Sequence, residues 1–139
     1  MEGRVAGSRI AGAAMYSLGL RREFVAQHFL VGGNWGAENE LHRHEYRIEV
    51  RIESNSLDPH GFIVDLVDLE ARLDGMIARY REKTLNEFPE FKGLNPSLEH
   101  FARILCQDLA SGLESDNLYA FQVRLWEDDT AWAAYRQEV

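Results

Sequence analysis

His42-Arg43-His44-Glu45-Tyr46-Arg47-Ile48-Glu49-Val50-Arg51-Ile52-Glu53 alternates without a break. His42, His44, Tyr46, Ile48, Val50 and Ile52 form one set, and Arg43, Glu45, Arg47, Glu49, Arg51 and Glu53 the other. Successive side chains of a β-strand point to opposite faces, so the pattern predicts a strand with an apolar face and a charged, solvated one. Both histidines fall on the apolar face. An inward-facing imidazole is either a satisfied core group or a metal ligand, and this stretch alone leaves both open.

Upstream, Tyr16, Leu18, Leu20, Arg22, Phe24, Ala26 and His28 repeat the period of two, broken only by Arg22. They predict a second strand that again ends in histidine. Between the two strands, Leu30–Glu40 carries Gly32-Gly33-Asn34 and Trp35-Gly36, which is loop chemistry. An antiparallel hairpin across that loop brings His28 towards His42 and His44.

Beyond the hairpin, Asn55, Pro59 and Gly61 mark a turn, and Phe62–Val64 reads as a short strand. Asp65 predicts a helix cap, followed by the apolar stripe Leu66, Leu69, Leu73, Met76, Ile77 and Tyr80. Asn95-Pro96 predicts the start of a second helix, with Leu98, Phe101, Ala102, Leu105 and Leu109 as its stripe and Gly112 at its end. Period two returns at Leu118–Trp126, where Tyr119, Phe121, Val123 and Leu125 share a face with Glu127. That carboxylate either marks the strand leaving the core or stands at the lip of a ligand pocket. Thr130–Arg136 reads as a final short strand. The order β-β-α-α-β-β predicts an α+β domain, an antiparallel four-stranded sheet with two helices on one face. Open sheet edges in so small a domain predict an oligomer.

A chain of 139 residues has room for one domain, expected over residues 16–139 behind a poorly ordered extension at 1–15. The net charge of −8, with Lys83 and Lys92 the only lysines, argues against a nucleic-acid partner. No apolar run approaches the roughly 20 residues that span a bilayer, so no membrane partner is expected. Cys106 stands alone and flanks the second helical stripe, where it reads as a small core residue. The absence of a disulfide framework fits a cytoplasmic location.

Element order, histidine placement and several short motifs together resemble the 6-pyruvoyl-tetrahydropterin synthase and 6-carboxytetrahydropterin synthase family. The motifs are Phe24-Val25-Ala26-Gln27-His28, His42-Arg43-His44, Gly61-Phe62-Ile63-Val64-Asp65, Thr84-Leu85-Asn86, Pro96-Ser97-Leu98-Glu99 and Leu125-Trp126-Glu127, spread over Tyr16 to Arg136. The resemblance implies the tunnelling fold, in which strands of several subunits build a barrel and sites lie between subunits, with a hexamer of two trimers. It implies zinc held by His28, His42 and His44, leaving an open coordination position. It further implies a pterin substrate, dihydroneopterin triphosphate, with Glu127 anchoring the ring and Ser97 also at the substrate. The activity implied is that of a zinc-dependent lyase of the 6-carboxy- or 6-pyruvoyl-tetrahydropterin synthase type.

The chain departs from the family at three places. Glu38 stands where the family's catalytic cysteine is usual, Arg81 and Glu82 replace its Asp-His pair, and Arg43 replaces the glycine between the metal histidines. Glu38 and Glu82 are therefore the candidates to share the proton transfers. A glutamate at the cysteine position also resembles a subclass that releases 6-hydroxymethyl-dihydropterin. Loss of the cysteine and the Asp-His pair equally fits a relative that binds zinc and a pterin-like ligand without turnover. A metal-free structural oligomer is the remaining alternative.

Overall fold

The computed structural model describes residues 14–113 and 115–139. Most of the expected extension, residues 1–13, lies outside them. Two long strands, β1 (Tyr16–His28) and β2 (His42–Ser54), form the hairpin, followed by helices α1 (Leu66–Tyr80) and α2 (Leu98–Gly112) and strands β3 (Ala120–Trp126) and β4 (Trp132–Glu138). The sheet is antiparallel in the order β1-β2-β3-β4. No helix of the described residues is long and apolar enough to cross a membrane.

The period of two in β2 becomes the two faces of the sheet. Tyr46, Ile48, Val50 and Ile52 are buried, together with Phe24 and Ala26 of β1 and Phe121, Val123 and Leu125 of β3. Register sets Phe24 opposite Tyr46, Ile48 opposite Leu125 and Ile52 opposite Phe121, so the apolar rows align into one surface. The helices cover it. Phe101 of α2 packs edge-on against Tyr46 (5.3 Å between ring centroids), Tyr80 (5.2 Å) and Phe91 (5.6 Å).

Arg22, the break in the β1 pattern, is tolerated because α1 supplies acids above it. Its Nε donates to Asp74 (2.8 Å), and Nη2 reaches Glu70 (3.4 Å). Helix α1 is capped as expected, the Asp65 carboxylate accepting from the Val67 N–H at 2.9 Å. Leu66 departs from its expected stripe: it is 43% exposed, and burial begins at Leu69.

Three further boundaries differ from expectation. Phe62–Val64 is not a strand. The Asp58 carboxylate accepts from the N–H groups of His60 and Phe62, and Asp58 N–H donates to the Phe62 carbonyl, so the backbone there is satisfied within its own turn. Helix α2 is capped by Ser97, whose hydroxyl oxygen accepts from His100 N–H at 3.1 Å. Asn95, the expected cap, instead accepts from the Val31 N–H at 2.8 Å. The last strand also runs two residues later than expected, to Glu138.

After α1 the chain turns back at Glu82, which adopts φ 59°, the left-handed region that costs a non-glycine residue. Backbone bonds to β1 hold it there: Glu82 N–H donates to the Val25 carbonyl (2.7 Å) and Gln27 N–H to the Lys83 carbonyl (2.9 Å). The end of β1 that carries His28 is thereby fixed on both sides.

Candidate metal centre

The hairpin register puts His28 directly opposite His42, with His44 two residues further along the same face. The three rings meet edge to face, with centroids 4.6, 4.8 and 5.0 Å apart. Tyr46 forms the buried floor, 5.7 Å from the His44 ring and 6.4 Å from that of His28.

Two of the imidazoles are oriented by carbonyls. His28 Nδ1 lies 2.8 Å from the Pro96 carbonyl oxygen, and His42 Nδ1 2.7 Å from that of Glu40. A carbonyl oxygen only accepts, so each Nδ1 carries a hydrogen, and in the neutral ring each Nε2 then presents a lone pair. Such an outer bond is how metal-binding histidines are commonly aimed. The Nε2 atoms of all three histidines are buried without a hydrogen-bond partner. One unpartnered buried nitrogen is costly, and three gathered within 4.8 Å of one another are placed so that they could hold a shared cation.

His28 is only 2% exposed, and burial, with the neighbouring imidazoles adding to it, lowers its pKa to about 4. The ring is therefore neutral near pH 7, the form that binds a metal. Nitrogen ligands and a carboxylate are a donor set that suits zinc.

Glu38 completes the group. Its carboxylate and the three imidazoles bring their ligand atoms within 4.8 Å of one another. It sits in a short 3-10 turn, Gly36–Asn39, inside the loop between β1 and β2. That loop is built around the next residue. The Asn39 amide donates to the Leu30 and Gly33 carbonyls (3.0 Å each), and its oxygen accepts from the Trp35 N–H at 2.7 Å. Leu30 N–H closes the loop on the Glu38 carbonyl at 2.8 Å.

Glu127 follows β3 on the same face, its Oε1 3.9 Å from His44 Nε2. The β3–β4 turn holds it in place through Asp128, which accepts from the N–H groups of Thr130 and Ala131 (2.8 Å each). A polar cleft of about 420 Å³ adjoins His44 and Glu127, its other walls being Glu23, Arg43, Glu45 and Arg47 of the outward face and Asp128 and Asp129 of the β3–β4 turn.

The remaining candidates lie elsewhere. Glu82 is outside the cluster, its carboxylate 3.6 Å from Nη2 of the outward-facing Arg43. Ser97 is next to Pro96, which orients His28, and its hydroxyl oxygen serves as the α2 cap. Cys106 is buried in the core, its thiol donating to the Phe121 carbonyl, and burial pushes its pKa up to about 11.

Sequence reading singled out Asn86 as part of a motif and Asn95 as a helix cap, but not the bonds by which they frame the site. The Asn86 side chain donates to the Phe29 carbonyl (2.9 Å) and accepts from the Phe29 N–H (3.0 Å), standing in for a strand partner just after His28. Asn95 does the same on one side for Val31. The density of asparagine in loop segments was the available signal, but it carries no direction.

The sequence matches the family described as 6-pyruvoyl tetrahydropterin synthase over residues 17–138. It is 27% identical over 120 residues to an Archaeoglobus fulgidus protein provisionally named a 6-carboxy-5,6,7,8-tetrahydropterin synthase, covering 86% of this chain and 95% of the relative. It is 25% identical over 129 residues to the 6-carboxy-5,6,7,8-tetrahydropterin synthase of Bacillus subtilis, covering 87% and 86%. Among solved structures, the Caenorhabditis elegans 6-pyruvoyl tetrahydropterin synthase superposes with TM-score 0.77 at 20% identity, over 89% of this chain and 96% of that one. A Plasmodium vivax 6-pyruvoyltetrahydropterin synthase gives 0.76 at 12% identity, over 91% and 99%. The sheet order, the two helices and these neighbours establish the tunnelling fold. The match over nearly the whole chain makes this protein a member of the 6-pyruvoyl tetrahydropterin synthase family.

Proposed function

We propose that the protein is a zinc-dependent lyase acting on dihydroneopterin triphosphate, of the 6-carboxy- or 6-pyruvoyl-tetrahydropterin synthase type. The observation that carries this reading is the convergence of three buried, unpartnered Nε2 atoms, from His28, His42 and His44, beside two carboxylates. The names of the archaeal and Bacillus relatives support the pterin substrate.

His28, His42 and His44 would hold the metal. Bound there, it supplies Lewis-acid polarisation of side-chain hydroxyls. Glu127, at the mouth of the cleft, suits the pterin amino and ring N–H groups, because a carboxylate accepts two parallel donors. Glu38 reaches the metal-facing side of the site and is assigned the proton transfer. Glu82 is paired with Arg43 on the outward side and lies outside the histidine cluster, so we assign it no share at this site. Ser97, next to the carbonyl that orients His28, remains a substrate contact to be tested. The free edge of β4 and the outer edge of β1 ahead of Val25, which no strand of the described residues pairs, support assembly, for which a hexamer of two trimers is our reading.

A glutamate at position 38 favours a second reading, release of 6-hydroxymethyl-dihydropterin from the same substrate. The Plasmodium vivax structure is described as a catalytic-residue mutant in which a glutamate became cysteine, so a glutamate serves catalysis in that neighbour. Incubating zinc-loaded protein with dihydroneopterin triphosphate and weighing the pterin product separates the readings. A carboxy or pyruvoyl product supports the first, a hydroxymethyl product the second. Binding without turnover leaves only a zinc- and pterin-binding protein.

A further inference from the structure

We propose that Glu38 is the fourth protein ligand of the metal, closing the centre when substrate is absent, and that its carboxylate must leave the metal before it can accept a proton. The proposal rests on the reading above that this site holds a metal, and it changes the state in which the site waits for substrate.

The geometry at His42 carries it. His42 Nδ1 is committed to donating to the Glu40 carbonyl, so in the neutral ring Nε2 presents a lone pair. Facing that lone pair at 3.5 Å is Glu38 Oε1, itself only an acceptor when ionised. A neutral imidazole nitrogen and a carboxylate directed at each other repel unless a cation, either a metal ion or a proton, lies between them. Their separation fits one: ligand atoms of a tetrahedral site with bonds of about 2.0–2.1 Å stand about 3.4 Å apart. Glu38 also shares the 4.8 Å cluster with all three imidazoles.

The Glu38 backbone is not free to drift. Its carbonyl accepts from Leu30 N–H, its own N–H lies 3.3 Å from the Trp35 carbonyl, and Asn39 ties the loop at Leu30, Gly33 and Trp35. The side chain nevertheless remains 48% exposed, which leaves it a path off the metal without unfolding the loop. A site with three protein ligands keeps an open position, whereas one with four is closed. In this chain the group that would close the site is also the one assigned the proton transfer, so substrate oxygens taking its place on the metal would free the carboxylate to act as the base.

Cobalt(II) titration of the full chain, followed by visible absorption, tests this without any turnover. Wild-type protein should bind Co(II) with the intense bands of a four-coordinate centre. Glu38→Ala should weaken binding by at least the roughly 10- to 100-fold found for outer-shell partners, with dimmer bands as water replaces the carboxylate. Glu38→Asp, one methylene shorter, should fall between them. Circular dichroism should show both variants folded, since Glu38 is half exposed and outside the core. Unchanged affinity and unchanged bands in Glu38→Ala would overturn the proposal and leave Glu38 as an outer carboxylate paired with a charged His42. Co(II) bound as before by His42→Ala, or not bound by the wild type, would instead overturn the metal centre itself.

Discussion

Replacing Asn39 with alanine separates the position of Glu38 from its chemistry. The side chain makes three hydrogen bonds, to the Leu30 and Gly33 carbonyls and from the Trp35 N–H. At about 1 kcal/mol net for each bond, their loss costs up to about 3 kcal/mol. Gly33 and Trp35 are exposed, so water recovers part of it, and we expect about 1–2 kcal/mol by urea unfolding. The functional effect should be larger than that loss suggests. With the side-chain ties to Leu30, Gly33 and Trp35 gone and backbone bonds such as Leu30–Glu38 left to hold the loop, the carboxylate should spend less time at the metal, and Co(II) affinity should fall about tenfold, equivalent to about 1.4 kcal/mol. Asn39→Asp keeps the acceptor for Trp35 but sets a carboxylate oxygen against the Leu30 and Gly33 carbonyls, so it should cost at least as much as alanine. A variant destabilised as expected but binding Co(II) within twofold of the wild type would refute the claim that this loop positions Glu38.

Glu127→Gln should weaken pterin binding by about 1.5–3 kcal/mol, the range for hydrogen bonds to a charged group, while leaving metal content intact; calorimetry with a pterin analogue checks it. Phe101→Ala, at the centre of the aromatic cluster, should cost about 3–5 kcal/mol in denaturant unfolding. Acid stability should depend on Glu90, which the Arg79 fork holds at a pKa of about 2 against 4.5 for a free glutamate. Because the folded value is depressed, this contribution is complete above about pH 4.5 and disappears as pH falls towards 2. The shift corresponds to about 3 kcal/mol at most, and solvent around the half-exposed Arg79 reduces it to about 1–2 kcal/mol. Glu90→Gln should remove that acid limb from the stability profile.

The hairpin and the meeting of its three histidines were legible because alternation is a strong signal. One period-two run places a histidine pair on the inner face, and a second run ending in His28 needs only antiparallel pairing to meet it. The helical stripes were legible for the same reason, apart from Leu66 at the solvated start of α1. Phe62–Val64 misled because three apolar residues satisfy either a strand or a turn, and Asp58 decides for the turn through hydrogen bonds that spacing does not reveal. Asn95-Pro96 has the form of a helix start, but Asn95 is engaged with Val31 and the capping role passes to Ser97. Glu38 and Glu82 look alike in the sequence. Only the folded loop brings Glu38 to the histidines, while the left-handed turn at Glu82 directs its carboxylate to Arg43.

The most direct test of the central claim is the metal content of the purified protein, measured by mass spectrometry beside His42→Ala. The arrangement of His28, His42 and His44 predicts about one zinc per wild-type chain and essentially none in the variant. Wild-type protein that folds, stays metal-free and takes up no zinc when it is supplied would contradict it.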